Sequence, residues 1–277
     1  MRRAIVTVAV LMALGAPAAA QRAPDFVTLD RGDGYSKVGF DMAYIKMDPP
    51  PYDAVLHFEI YGQYVLQSGL GFYAAFPLAK SFGDGPEEDE LDGESSIGNL
   101  DFGGLYVISG SELSFVFRLG FVAPTASTDP GDFATNFYGQ QFRLTDIAMV
   151  NPDAWYLRLG FSPLIHMRSI FLRGDIGVDI PIAEDEYRAD PIGRLNLGAG
   201  FDLGTFALGV ELANIIDIDD DDDDFDDDED VFSTAAFTAR YMGSTLQPYL
   251  ALGIPVQEYV RDTVKFFLAV GIQGVLH

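Results

Sequence analysis

The chain of 277 residues contains no cysteine, no long apolar run beyond its first twenty residues, and few basic residues. Without cysteine there are no disulfides, so an exported protein of this sequence must be held together by other means. No later stretch reaches about 18 uncharged apolar residues, which excludes a membrane-spanning helix. The 17 lysines and arginines face 42 acidic residues, a net charge of −25. This balance excludes nucleic-acid binding, which requires lysine and arginine side chains to neutralise phosphates.

The first twenty residues have the pattern of an export signal. Arg2 and Arg3 precede a short apolar run over residues 4–14, and three alanines at 18–20 offer a cleavage site before Gln21. An uncleaved anchor is the alternative, but the apolar run is short for a membrane span, which needs about 20 residues. The predicted divisions are a signal peptide over 1–20, a periplasmic N-terminal segment over 21–35 and a barrel over 36–277.

Apolar and polar residues alternate in twelve segments of about ten residues, and a period of two is typical of strands with two different faces. The links between segments alternate in length, from tight Gly/Ser turns to long loops. Short turns at one end and long loops at the other are the outer-membrane arrangement. The predicted strands are 36–47, 54–66, 69–80, 97–108, 113–123, 154–165, 170–180, 194–203, 205–215, 232–242, 246–254 and 264–276.

The two faces of these strands differ in charge. In the segment 113–123, one face is entirely apolar and the other carries Arg118. The segment 264–276 likewise places Val264 on an apolar face and Lys265 on the opposite one. A Lys or Arg facing lipid near mid-bilayer costs about 2–4 kcal/mol, so charge is confined to the inside of a membrane barrel. A soluble sandwich explains the alternation but not the sorting of the loops.

The fold class predicted is therefore all-β: a closed antiparallel transmembrane β-barrel of about 12 strands, with short periplasmic turns and long acidic extracellular loops. We expect it in the outer membrane of a Gram-negative bacterium. Tyr64, Tyr106, Trp155 and Tyr241 are expected near the short-turn ends, where amphipathic aromatics line the membrane interface.

Two neighbouring segments carry a resemblance to a known family. Residues 96–106 read SIGNLDFGGLY, and residues 119–125 read LGFVAPT. They resemble the outer-membrane proteins of the meta-pathway phenol-degradation family, in which a Gly-(Ile/Leu)-Gly-Asp strand start precedes a strand that ends in apolar-Pro-Thr-Gly. Asn99 and Ala126 replace the usual Asp and Gly. The resemblance implies a twelve-stranded barrel that transports hydrophobic compounds.

Charged residues of mixed sign on the inner faces are the candidate lumen residues. They have two interpretations: a hydrogen-bonded plug of Arg–carboxylate pairs, or the lining of a polar pore. Arg118 and Arg158 lie mid-strand and are expected at a central constriction. Glycines that recur on the same face either leave room for a narrow lumen or ease strand curvature. The candidates are Glu59, Arg118, Arg158, Arg173, Asp175, Arg194, Glu211 and Arg240.

Two of the long links have unusual composition. Between residues 217 and 230, 12 of 14 positions are acidic; they form either a self-repelling loop or a weak site for divalent cations, without a preformed metal site. The link 124–153 is too apolar for a solvated loop, so it either folds into the barrel mouth as a constriction or extends the next strand. The cation-binding candidates are Asp219, Asp220, Asp221, Asp222, Asp223, Asp224, Asp226, Asp227 and Asp228.

The leading functional hypothesis is an outer-membrane channel or transporter for passive passage of small molecules, with hydrophobic compounds as the candidate solutes. The alternative is a non-conducting structural or surface-interaction barrel whose acidic loops bind divalent cations or lipopolysaccharide. No enzyme activity is expected. A lipid hydrolase that uses a Ser–His pair is the third alternative, but no serine at a recognisable nucleophile motif accompanies His57, His166 or His277. The expected partners are outer-membrane lipids and lipopolysaccharide, the barrel-assembly machinery and a small-molecule solute; no nucleic acid and no cofactor is expected.

Overall fold

The computed structural model describes residues 25–31, 33–48, 52–83, 95–184, 189–218 and 231–276, and in them one antiparallel sheet closes on itself. The first strand pairs with both the second and the last strand, so the wall is continuous. Closure removes the open edges that would otherwise leave backbone groups unpaired in lipid. No helix in this part of the chain is long and apolar enough to cross a membrane.

Twelve strands form the wall, and the fourth is interrupted at Gly98 and Asn99 into two pieces, β4 and β5. Connections of two to four residues alternate with connections of six or more, which confirms the predicted barrel with its short turns and long loops. The strands are β1 (Lys37–Met47), β2 (Ala54–Val65), β3 (Leu70–Phe82), β4 (Ser95–Ile97), β5 (Leu100–Ser109), β6 (Leu113–Ala123), β7 (Ala154–Met167), β8 (Ile170–Glu184), β9 (Ile192–Asp202), β10 (Phe206–Asp217), β11 (Val231–Tyr241), β12 (Leu246–Pro255) and β13 (Val264–Val275).

The outer face is apolar as predicted, but Val264 and Trp155 do not lie where the sequence placed them. Val264 is buried, because the register steps from Lys46 opposite Phe266 to Met47 opposite Val264 and leaves Lys265 as an extra residue. A bulge of this kind reverses the faces of the residues beyond it. Trp155 lies at the long-loop end of the wall, because β7 begins there; its predicted place at the short-turn end was wrong.

Inner-face glycines accommodate aromatic rings that lie across the neighbouring strands. A Cβ atom at Gly39 would be 2.2 Å from Cζ of Tyr61, and one at Gly120 would be 2.0 Å from the hydroxyl of Tyr73. The space that these glycines leave is therefore filled by side chains, an arrangement that also pins the strand register. Three further pairs are Gly200 with Phe171, Gly253 with Phe267 and Gly271 with Tyr249.

The link between β6 and β7, residues 124–153, folds into the barrel and is named the inner loop. Its helix α1 (Pro130–Gln140) begins after Asp129, whose carboxylate accepts a hydrogen bond from Gly131 N at 2.9 Å, and Pro130 suits the first turn. A kinked 3-10 helix (Gln141–Met149) follows; its backbone departs from helical geometry at Arg143 and Asp146, and all nine of its residues are buried. Of the two sequence-based alternatives, folding into the barrel is correct. A short exposed helix, α2 (Glu258–Thr263), lies in the link before β13.

The chain also enters its own barrel at the N-terminal side. The described residues 25–31 and 33, named the N-terminal segment, are buried and bonded to the wall. Arg31 contacts carboxylates of β1 and β2, whereas Asp30 contacts Arg194 of β9. Contacts with opposite sides of the wall place the segment in the lumen. The assignment of residues 21–35 to the periplasm did not anticipate this location, to which the segment's charges are drawn by partners of opposite sign.

Candidate site in the barrel interior

All eight candidate lumen residues lie inside the wall, each exposed by 7% or less. They do not line an empty pore in this conformation, because the N-terminal segment and the inner loop lie between them. Six take part in ion pairs with other interior residues, Glu211 hydrogen-bonds the N-terminal segment and Thr238, and Arg240 lies over the ring of Tyr249 at 4.8 Å. The six are Glu59, Arg118, Arg158, Arg173, Asp175 and Arg194.

Arg158 on β7 is the most connected of the candidates. Its Nε atom lies 3.0 Å from Oδ1 of Asp179, and its Nη1 atom lies 2.8 Å from Oδ2 of Asp101 and 2.7 Å from Oδ1 of Asp146. The guanidinium also donates to the carbonyl of Thr145. It therefore ties the wall to the 3-10 helix, in the fork geometry that suits arginine and carboxylates.

Arg118, the other residue expected at the constriction, lies close by. Its Nη2 atom is 3.8 Å from Oδ2 of Asp101, which Arg158 also contacts, and its guanidinium lies 3.9 Å from the centre of the Tyr73 ring. The two arginines therefore converge on one carboxylate, and the cation–π contact holds Arg118 against the wall.

A second cluster joins the N-terminal segment to β1, β2 and the inner loop. Arg31 Nη1 lies 2.6 Å from Oε1 of Glu59, and Arg31 Nη2 lies 3.1 Å from Oδ2 of Asp41. Arg143 of the 3-10 helix approaches Glu59 at 3.7 Å and Asp146 at 2.8 Å. Burial raises the pKa of Asp146, but the charges of Arg143, Arg158 and Arg31 together hold that pKa well below its usual range.

The backbone of the N-terminal segment is also anchored. Glu211 on β10 accepts hydrogen bonds from the backbone N–H groups of Val27 at 3.1 Å and Thr28 at 2.6 Å. Arg143 donates to the carbonyls of Val27 and Leu29, the latter at 3.0 Å. Side chains from the wall and the inner loop thus replace the partners that a strand neighbour would provide.

At the short-turn end, Lys37 of β1 forms ion pairs with both Asp25 and Asp33 of the N-terminal segment. Burial and the adjacent Asp25 carboxylate raise the pKa of Asp33 to about 7, despite the opposing charge of Lys37. For Asp25, burial acts in the same direction, but Lys37, Arg240 and Arg173 lower its pKa well below the usual range. At neutral pH Asp25 is therefore ionised, whereas Asp33 is only partly ionised.

The residues that sequence reasoning missed belong to the two inserted segments and to β1. Those segments have no period of two, so alternation gives them no face. The apolar composition of the inner loop was the only signal that it enters the barrel. The missed residues are Asp25, Asp30, Arg31, Asp33, Lys37, Asp41, Arg143 and Asp146.

Asn99, in the segment that carries the family resemblance, fastens the inner loop. Its Oδ1 atom accepts hydrogen bonds from the backbone N–H groups of Thr125 and Ala126, both at 2.8 Å. Its Nδ2 atom donates to the carbonyls of Ala148 at 3.4 Å and Asn151 at 2.5 Å. The buried amide thus joins both ends of the inner loop to the interrupted fourth strand.

Two hollows lie outside the ionic interior. One, of about 220 Å³, opens at the long-loop end between the inner loop and the wall, and its apolar lining includes Phe137, Leu144 and Phe232. The other, of about 520 Å³, crosses the outer surface of β7–β10 and includes the lipid-facing residues Leu172 and Leu197. The second hollow lies on the lipid-facing side of the wall, where lipid chains suit its lining.

The predicted cation-binding tract, Asp219–Asp224 and Asp226–Asp228, lies outside the described residues. Within the described ranges, no group of three or more His, Asp or Glu side chains is placed to hold a metal ion. His57 is buried against Phe142, with ring centres 5.4 Å apart, and its Nε2 atom lies 3.7 Å from Oε2 of Glu59.

Several solved structures have the same architecture. An outer-membrane channel from Pseudomonas putida F1 is 14% identical, with a TM-score of 0.59 over 94% of this chain and 99% of that one. The NanC porin is 9% identical, with a TM-score of 0.54 over 86% of this chain and 100% of that one. The KdgM porin in complex with disordered oligogalacturonate is 11% identical, with a TM-score of 0.52 over 87% and 100%.

The fold is that of an outer-membrane β-barrel. No family model matches this chain, and no curated protein matches it either. The resemblance to the meta-pathway family therefore stays a prediction, whereas the predicted outer-membrane barrel fold is confirmed.

Proposed function

We propose that this protein is an outer-membrane channel for passive passage of small molecules, closed in this conformation by the N-terminal segment and the inner loop. The observation that carries the proposal is the ionic interior: the wall pairs its charges with segments that are not part of the sheet. Replacing buried ion pairs by apolar side chains is often neutral or stabilising. A barrel with only a structural role has no need of these charges, whereas a closed aqueous path does.

The inner loop is the part whose release is expected to open the path. Asn99 makes four hydrogen bonds to it, and the side chain is fully buried. At about 0.5 kcal/mol for each bond, Asn99→Ala weakens the closed state by roughly 2 kcal/mol, or roughly 25-fold in population. Asn99→Asp keeps the two accepted bonds, but it replaces the donor Nδ2 by an oxygen that faces the carbonyls of Ala148 and Asn151, so it is expected to weaken the closed state at least as much.

Single-channel recording in planar bilayers tests the proposal. Asn99→Ala is expected to show more frequent openings than the native protein, and Asn99→Asp openings at least as frequent as those of Asn99→Ala. Gln257→Ala is the matched control, because Gln257 lies at the same end of the barrel but bonds to Val231 and Ser233 instead of the inner loop. If the native protein and Asn99→Ala both give no current, the channel proposal fails.

The filled interior also favours a second candidate, a non-conducting barrel with a structural or surface role. In that function the acidic loops bind divalent cations or lipopolysaccharide. Isothermal titration with calcium, applied to the intact protein and to a variant that lacks residues 219–230, tests cation binding. If the acidic tract binds calcium, the two proteins give different heats. Absent current combined with calcium binding supports this candidate.

We propose that the solutes include small apolar molecules, which first contact the 220 Å³ hollow at the long-loop end. Its apolar lining with a few polar groups is typical of small-molecule sites. Benzyl alcohol is expected to reduce open-channel current in Asn99→Ala, and Phe232→Ser in the same background is expected to weaken this block. Equal block with and without Phe232→Ser would contradict this route.

A further inference from the structure

Three basic residues of the wall lie inside the barrel at the short-turn end. Lys37 of β1, Arg173 of β8 and Arg240 of β11 are all buried there. Among the wall carboxylates, Asp175 pairs with one of these cations directly: its Oδ1 atom lies 2.8 Å from Nε of Arg173. Unpaired buried charges are strongly unfavourable, so this part of the wall requires additional anions.

The N-terminal segment provides those anions. Lys37 pairs with Asp25 and with Asp33, and Arg173 Nη1 lies 3.5 Å from Oδ1 of Asp25. To these three cations and the paired carboxylate of Asp175, the segment adds two carboxyl groups: Asp25, which is ionised, and Asp33, which is only partly ionised near neutral pH. Arg173 also donates to the carbonyl of Asp30, so the segment satisfies it through the backbone as well.

Arg240 is left incompletely satisfied. The side chain is only 3% exposed, yet its Nε and Nη1 atoms have no hydrogen-bond partner. Its guanidinium lies over the ring of Tyr249 at 4.8 Å, a contact that satisfies none of these donors with an acceptor atom. Buried donors of this kind mark a place where a ligand can provide the missing acceptors.

We propose that Lys37, Arg173 and Arg240 form a binding site for organic carboxylates in the lumen, and that Asp25 and Asp33 occupy it as built-in competitors. The inference rests on the proposed channel function, since the bound carboxylate is a solute on its way through the barrel. Because two carboxyl groups fill the site, small dicarboxylates match it best. A solute that displaces the N-terminal segment takes over its charge pairs and offers acceptors to Arg240.

Equilibrium dialysis with radiolabelled succinate and the detergent-folded full-length protein tests the site. Asp25→Asn combined with Asp33→Asn removes the competitor, and we expect succinate to bind at least tenfold more tightly than to the native protein. Adding Arg240→Gln to that variant is expected to reverse the gain, whereas adding Arg240→Lys, which retains the charge, keeps it.

The control is Glu258→Gln combined with Asp262→Asn, which changes the net charge equally on the exposed helix α2. This control is expected to bind succinate like the native protein. Heat-modifiable gel migration confirms that each variant is folded, and Asp33→Asn alone, expected to tighten binding to a smaller degree, replaces the double variant if that one does not fold. The proposal is overturned if the affinity for succinate does not change when the segment carboxyls are removed. It is also overturned if the affinity does not depend on Arg240.

Current measurements separate this inference from the proposed function. In a KCl gradient, the reversal potential of the variant with Asp25→Asn and Asp33→Asn is expected to shift towards the equilibrium potential of chloride. Adding Arg240→Gln to that variant is expected to cancel the shift. Absence of current in every variant rejects the channel, while dialysis still decides whether the carboxylate site exists. Current whose selectivity does not depend on Arg240 rejects the site and leaves the channel intact.

Discussion

Arg158→Leu is the change expected to disturb the interior most. It deprives the carboxylates of Asp101, Asp146 and Asp179 of a common cation, all within 3.0 Å. Removing one partner of a buried ion pair costs about 3–5 kcal/mol. Each of the three carboxylates keeps a second arginine, at 3.8 Å, 2.8 Å and 3.0 Å respectively, so the lower end of this range, about 3 kcal/mol, is expected.

Urea unfolding of the refolded barrel, followed by the fluorescence of the single tryptophan, Trp155, measures this loss. Arg261→Leu is the control, because Arg261 is an exposed cation on α2 and its removal is expected to cost less than about 0.5 kcal/mol. Arg158→Lys retains the charge but loses the fork geometry, so an intermediate loss is expected. If Arg158→Leu unfolds like the control, the ionic cluster does not hold the inner loop to the wall, and the reasoning is refuted.

Two further predictions concern packing and pH. Gly39→Ala is expected to destabilise the barrel by about 1–3 kcal/mol in the same urea assay, because the new methyl group overlaps the Tyr61 ring. Gly62→Ala is the control, because its methyl group would lie 3.8 Å from the nearest atom, the carbonyl oxygen of Lys37. Equal effects of the two substitutions would contradict the reasoning. The raised pKa of Asp33, about 7, means that the docked N-terminal segment holds a proton that the free segment loses above its ordinary value of 3.8. Docking is therefore strongest at low pH and weakens as the pH rises from about 4 to 7. Asp25, whose pKa is lowered, stays ionised over this range. In this cysteine-free chain, maleimide labelling of Val27→Cys is expected to accelerate from pH 5 to pH 8 more than in the same variant with Asp33→Asn; identical profiles would contradict the prediction.

The wall could be predicted from the sequence because its rule is local. Each strand alternates with a period of two, and lipid outside the barrel excludes charge from one face. This reasoning places Arg118, Arg158 and the other wall charges inside without any knowledge of their partners. It fails at Val264, because a single extra residue in the strand reverses the faces, and nothing in the alternation marks the bulge.

The contents of the barrel could not be predicted in the same way. Arg31 and Arg143 are far apart in sequence and lie in segments without strand periodicity, yet both contact Glu59. Their positions are determined by pairing with charges that come together only after the wall has closed. Composition indicated that the inner loop is too apolar for solvent, but no comparable signal marks the N-terminal segment.

The wall and its contents are therefore held by different interactions, and this difference is what a gated path requires. β1 and β13 share eleven pairs of opposite residues, and similar ladders join the other strands, so closure depends on the backbone and not on the interior charges. The inserted segments are held by apolar packing, as at Phe26 and Phe142, and by side-chain ion pairs, whose net contribution is modest because desolvation offsets much of the attraction. Releasing a segment consequently costs far less than opening the sheet. In the proposed channel, water or a solute carboxylate that replaces the segment's charges lowers that cost further, so we expect the lumen to open while the wall stays intact.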